Sequence, residues 1–215
     1  MALVVDQLSL GPIGTNCYVV RADSDAREAV VVDPSGDVGD LEVVLTRLGA
    51  RCIAILLTHG HWDHLVGVAE LAEATGAPVY MAEGERTLLE DPNRFTPSGM
   101  TLRPYVPDVL LRGDEKIDIA GLSLDVLPVP GHSPAHIAYH ADGSLFSGDV
   151  LFAGSVGRTD LPGGDWGVLL ASIRLLVDTL PPDTVVYPGH GPATTLGDEL
   201  ARNPFLADLR AERTG

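Results

Sequence analysis

The chain alternates short apolar runs with segments in which apolar residues return every three or four positions. Runs at 3–10, 17–22, 29–33 and 52–58, and again at 122–129, 136–141, 144–149 and 184–189, are rich in Val, Leu, Ile and Tyr and end at Gly, Pro or Asp. That pattern predicts strands. Between them, Leu41, Val44, Leu45 and Leu48 share one helical face before Gly49, and Leu65, Val68, Ala69 and Ala72 repeat the spacing before Gly76 and Pro78. A third helix is predicted from Trp166 through Leu169, Leu170, Ile173 and Val177, with Asp165 as its N-cap and Pro181-Pro182 as its stop. A short last helix is expected within 194–203, followed by a docked tail over 205–215. Strands followed by helices of this kind predict an α/β protein.

One stretch breaks the rhythm. Residues 92–113 hold four prolines, no clear period and a strand candidate only at their end. A connection of this length suits a lid over a site or a plain surface crossing, and both readings stand. With 215 residues and no linker, low-complexity segment or readable repeat, one large domain spanning 1–215 is expected.

Charge narrows the ligands. Fourteen basic residues against 30 acidic ones give a formal charge of −16, which repels phosphate backbones and anionic bilayers, so neither nucleic acid nor a membrane surface is an expected partner. The first ten residues lack a basic segment and carry Asp6, and no apolar run reaches membrane-spanning length, which makes the cytoplasm the expected location. The two cysteines, Cys17 and Cys52, have no C-x-x-C spacing and are expected to be reduced, buried thiols. Whether the chain is a monomer or a homodimer is open at this stage.

Candidate chemistry is concentrated after the strand at 52–58, where His59, His61, Asp63 and His64 fall within six residues. Packing three imidazoles and a carboxylate together without a cation strips polar groups of water at a cost of a few kcal/mol. A divalent metal reverses that penalty. So short a loop can hardly wrap four ligands around one ion, so sharing between two ions is the better reading: His59 with His61, and Asp63 with His64. Three further ligand types, His132 in "PGHS", Asp149 in "SGD" and His190 in "PGHG", each sit beside glycine at a predicted strand end. Of the two remaining histidines, His136 is expected beside the ligands or in the core and His140 on an exposed strand face.

Here the sequence resembles the metallo-β-lactamase superfamily, whose H-x-H-x-D-H signature matches His59 to His64 and whose later ligands match His132, Asp149 and His190 in order. The resemblance implies a four-layer αββα sandwich of two similar halves. It further implies that His59, His61 and His132 hold one metal, that Asp63, His64 and His190 hold a second, and that Asp149 bridges them. Zinc is the first expectation, with iron and manganese accepted by the same donors. Water held between two such ions would ionise near neutral pH and attack an acyl carbon, with Asp63 orienting it or carrying a proton.

Within the superfamily, 146–165 and 187–199 resemble the short glyoxalase II-like group, related to hydroxyacylglutathione hydrolase, which implies a small-molecule thioester as substrate. The chain has Pro192 where the full-length glutathione enzyme has a tyrosine, and it is expected to lack that enzyme's added C-terminal helical domain. Arg158 is the candidate substrate-binding cation, or else the partner of a nearby carboxylate. Gly157-Arg158-Thr159-Asp160 also matches the iron-dependent persulfide dioxygenases. The same residues are compatible with a lactonase or with a non-catalytic metal-binding module.

Overall fold

A computed structural model of the chain describes residues 3–213; Met1 and Ala2, and Thr214 and Gly215 at the end of the predicted tail, lie outside the described residues. The first sheet takes β1 (Val4–Leu10), β2 (Thr15–Arg21), β3 (Glu28–Val32), β4 (Arg51–Leu56), β5 (Val79–Ala82) and β6 (Val109–Leu111) in chain order. Its first three strands run antiparallel and the pairs from β3 to β6 are parallel. The second sheet is built from β7 (Lys116–Ile119), β8 (Leu122–Pro128), β9 (Ile137–Ala141), β10 (Ser144–Gly148), β13 (Val185–Pro188) and β14 (Thr194–Thr195), in the order β14-β13-β10-β9-β8-β7. A separate two-stranded ribbon, β11 (Leu151–Phe152) with β12 (Ser155–Val156), follows β10.

The two sheets face each other. Tyr18, Val20, Val32 and Leu56 of the first pack with Leu124, Val126, Tyr139 and Phe146 of the second in one buried cluster, where the rings of Tyr18 and Phe146 meet edge to face at 5.5 Å. On the outer side of the first sheet, Val19, Val31 and Ile55 pack against α1 (Val38–Leu48) and α3 (Val68–Thr75). On the outer side of the second, Ala138, Leu145 and Val186 pack against α5 (Trp166–Thr179), α6 (Leu196–Arg202) and α7 (Ala207–Glu212). Helices on both outer faces make the four-layer α/β sandwich. They also explain why β2 and β3 read as unbroken apolar runs: a strand covered on both sides has no polar face to alternate. Each fully buried Leu or Ile here contributes about 1.5–3 kcal/mol.

Local chemistry sets the helix ends. The Asp165 side chain accepts from Val168 N at 2.9 Å, as the N-cap reading requires, and Asp37 and Thr195 cap α1 and α6 in the same way. The helix predicted from Leu65 onward is instead two pieces, α2 (Trp62–Leu65) and α3. Gly67 separates them, because its amide is taken by Pro34 O at 2.7 Å and its α-carbon lies against the carbonyl of Gly36. A short helix α4 (Arg86–Glu90) and strands β5 and β7 lie where no periodicity is legible; they span only four or five residues each.

The 92–113 segment crosses toward the outer side of the first sheet. Leu102 is buried there, Tyr105 N donates to Leu89 O, and Arg103 pairs with Glu73 of α3. Both cysteines are free and buried, and burial pushes their thiols up.

Candidate metal centre

Four strand ends supply the candidate ligands. The loop after β4 carries His59 and His61 and leads into α2 with Asp63 and His64, while the loops after β8, β10 and β13 carry His132, Asp149 and His190. All seven converge. Ligand atoms of His59, His61 and His132 form one group lying within 4.8 Å of one another; His59, His64 and Asp149 form a second, and Asp63, His64 and His190 a third. His59 Nε2 stands 3.0 Å from His61 Nδ1, which stands 2.8 Å from His132 Nε2. Asp149 lies between the groups, its Oδ1 3.4 Å from His64 Nε2 and its Oδ2 3.5 Å from both His132 Nε2 and His190 Nε2.

The outward nitrogens fix which inward nitrogens carry lone pairs. His132 Nδ1 donates to the Arg158 carbonyl at 2.8 Å, so its Nε2 is free of hydrogen in the neutral ring. His64 Nδ1 donates to Asp33 Oδ2 at 2.9 Å with the same result. Thr58 gives its one hydroxyl proton to Asp33 Oδ2 at 2.8 Å, so its oxygen must accept from His59 Nδ1 at 3.1 Å, leaving His59 Nε2 as an acceptor too. The lone pairs of His59 Nε2 and His132 Nε2 therefore both face His61 Nδ1, at 3.0 and 2.8 Å. Buried Nε2 of His64 and Oδ1 of Asp149 have no hydrogen-bond partner. Donors arranged so, mixing imidazole with carboxylate, fit divalent cations of the zinc, iron or manganese type.

Titration behaviour follows from this crowding. Burial, then neighbouring histidines, hold His59 well below its usual value and bring His61 to about 4. Burial would also lower His64, but Asp33 and Asp149 outweigh it and raise the ring. Hydrogen bonds to Asp149 and Asp63 lift His190 to about 9. Burial works against ionised Asp149, yet His64, His190 and His132 pull its carboxyl well below the usual range.

Several residues that position the site carry no motif. Asp33 is buried at the end of β3 and accepts from Thr58 N, Thr58 Oγ1 and His64 Nδ1. Thr15 donates to Asp63 Oδ2 at 2.8 Å. Asn16 brackets His190, its Nδ2 bonding Pro188 O and Gly191 O while its amide bonds Gly189 O. A strand-end carboxylate in "VVVDPSG" is the one available signal for Asp33; Thr15 and Asn16 have none beyond their place in a strand.

Other residues land differently. His136 is fully buried, stacks on His59 at 4.6 Å and accepts the Asp149 amide, which places it beside the ligands. His140, expected exposed, keeps only 17% side-chain exposure because it lies near Asp125 on the sheet face beneath α5. The Arg158 guanidinium grips Asp160 through two bonds of 2.7 Å, while its carbonyl orients His132.

Comparison with known proteins agrees with this architecture. The Metallo-beta-lactamase superfamily profile matches residues 10–190. The chain is 38% identical over 208 residues to "Probable metallo-hydrolase YqgX" of Bacillus subtilis, covering 93% of this chain and 96% of that one. It is 34% identical over 197 residues to "Hydroxyacylglutathione hydrolase GloC" of Haemophilus influenzae, covering 89% and 92%. Among solved structures it resembles "BLEG-1 B3 metallo-beta-lactamase", with TM-score 0.89, 42% identity and coverage of 95% and 100%. It also resembles "TTHA1623 in a di-iron-bound form", with TM-score 0.83, 40% identity and coverage of 94% and 100%. With its seven histidine and aspartate donors gathered between two sheets, the chain belongs to the metallo-β-lactamase superfamily.

Proposed function

We propose that this protein is a hydrolase with two divalent metal ions that cleaves a small-molecule thioester of the hydroxyacyl-thiol class. The observation that carries the reading is the set of tautomers: Asp33, Thr58 and the Arg158 carbonyl each hold a hydrogen on the outer nitrogen of a histidine, so in the neutral rings the inner nitrogens of His59, His64 and His132 carry lone pairs. His59, His61 and His132 would hold one ion, Asp63, His64 and His190 the other, with the Asp149 carboxylate between them. A bound divalent ion supplies a Lewis acid and lowers the pKa of water toward about 7.

The chain's own groups supply the rest. Asp63 Oδ2 accepts from Thr15 and faces His64 and His190, so the carboxylate can hold or pass a proton beside the ligands. A thiol of pKa about 8.5 needs little protonation to leave, which suits a site whose carboxylates Asp63 and Asp149 face the metal groups. His190 is half-buried, at 29% exposure, and Phe152 lies beside it at 6.1 Å, an apolar wall for an acyl chain. GloC, whose name states an activity of this class, supports the choice of substrate.

The test is a metal count on purified protein together with a panel of thioesters, lactones and a thiol persulfide, with oxygen uptake recorded. Two ions per chain and preferential thioester cleavage are expected. One iron with oxygen consumption on the persulfide would replace the reading with a dioxygenase; preference for lactones would replace the substrate class.

A further inference from the structure

The turn between β5 and α4 is wedged between the two histidine loops. Glu85, at its end, is fully buried. Its Oε2 accepts from Gly60 N at 3.1 Å, between His59 and His61, and its Oε1 accepts from Ala135 N at 2.9 Å, in the loop that links His132 to His136. Neither oxygen is paired with a cationic side chain. A buried carboxylate without a cation is costly to keep unless its geometry matters. The neighbouring glycines point the same way. A side chain on Gly60 would meet Leu88 of α4 at 2.6 Å, and one on Gly84 would meet the Ala135 side chain at 2.6 Å, so the turn and α4 lie too close to the two loops for a side chain at either glycine.

We infer that Glu85 is a positioning residue for the candidate metal centre: one carboxylate spans the His59–His61 loop of the first sheet and the His132 loop of the second, and sets the separation of His61 from His132. It touches no reacting atom. Its two oxygens act as a fixed-length strut, and the spacing it sets is the 2.8 Å between His61 Nδ1 and His132 Nε2. Only a carboxylate of this length offers an acceptor to each amide. In Glu85→Gln one acceptor becomes an NH2 group that opposes a backbone N–H, releasing one loop while preserving size. In Glu85→Asp both acceptors remain but the side chain is one methylene too short to reach both amides.

The inference rests on the metal-centre reading, and the experiment separates the two. Full-length protein is stripped with chelator and titrated with cobalt(II), reading the visible absorption, which reports ligand geometry, and affinity by competition with a chromophoric chelator. Unmodified protein must bind cobalt; if it does not, the metal-centre reading falls and this inference with it. Glu85→Gln is expected to weaken one of two sites by about 10–100-fold and to change the cobalt spectrum, as loss of a ligand-orienting partner does. Glu85→Asp should fall between. Denaturation of the metal-free proteins is recorded alongside. Wild-type cobalt affinity and spectrum in Glu85→Gln would overturn the proposal, as would a loss of stability equal in metal-free and cobalt-loaded forms, since that is the mark of a merely structural residue. Should Glu85→Gln fail to fold, the Glu85→Asp spectrum decides alone: unchanged overturns, altered supports.

Discussion

Replacing Asp33 tests the tautomer reasoning on which the candidate centre depends. This carboxylate is 2% exposed and accepts three hydrogen bonds of 2.8–2.9 Å, from Thr58 N, Thr58 Oγ1 and His64 Nδ1. Its backbone sits at φ +49°, a region that Asn adopts readily. In Asp33→Asn the amide keeps its oxygen toward Thr58 N, because the opposite orientation would press two buried N–H groups together. The NH2 then faces His64 Nδ1, which becomes the acceptor, and the ring hydrogen moves to Nε2 beside Asp63 and Asp149. Thr58 must likewise accept from the amide and turn its own proton toward His59 Nδ1, which inverts that ring as well. All three contacts keep a partner and only the charge of the acceptor is lost, at a cost of about 1–2 kcal/mol against the 5–15 kcal/mol of a typical fold, so the variant should still fold. Asp33→Ala strands three buried donors at about 1–3 kcal/mol each, roughly 3–9 kcal/mol together, and should be grossly destabilised. Urea unfolding of the metal-free proteins and metal content after dialysis against zinc measure the two effects. A folded Asp33→Asn protein with metal affinity reduced about 10–100-fold is expected; two ions per chain at wild-type affinity would refute the tautomer assignment.

Three other outcomes can be checked. In the metal-free protein, His190 at about 9 adds stability that is complete below its unfolded value near 6.5 and is lost as pH rises through 9, whereas His61 at about 4 adds stability that is present above about 6.5 and lost as pH falls to 4. Urea midpoints of chelator-treated protein should therefore fall from pH 7 to 9, and the His190→Ala variant should show a shallower fall, the remainder coming from His64, whose ring is raised as well; an equal slope in the variant would contradict the assignment. Gly189→Ala sets a methyl group onto Asp149 Oδ1 and 2.8 Å from His64 Cε1, so a loss of about 1–3 kcal/mol in unfolding free energy and of bound metal is expected, and full metal retention would count against the Asp149 geometry. Arg158→Ala removes only an exposed pair with Asp160 and keeps the carbonyl that orients His132, so metal content should hold; loss of bound metal would contradict the part given to the carbonyl.

The ligands are legible in the sequence because they are consecutive or sit beside glycine at apolar strand ends, where two kinds of local signal coincide. His59 to His64 need no tertiary knowledge. Asp33, Thr15, Asn16 and Glu85 are not legible, since each acts on a residue distant in the chain and looks locally like an ordinary turn, strand or helix-start residue. The outer helices α1 and α5 show in their periodicity, while β5, β7 and α4 are too short to have one. The exposure expected of His140 fails because strand alternation says which residues share a face but not which face a helix will cover.

The division of the donors between the sheets bears on how the protein comes apart. Residues 4–111 form the first sheet and 116–195 the second, and the candidate groups join His59 and His61 to His132, and Asp63 and His64 to His190. A chain still searching for its fold cannot assemble such a set, because the strands that carry it must first have paired. Bound ions would therefore do little for the speed of folding and would slow escape from the native state, holding the two sheets as a rivet holds two plates. Chelation should shorten the lifetime of the folded protein far more than it delays refolding.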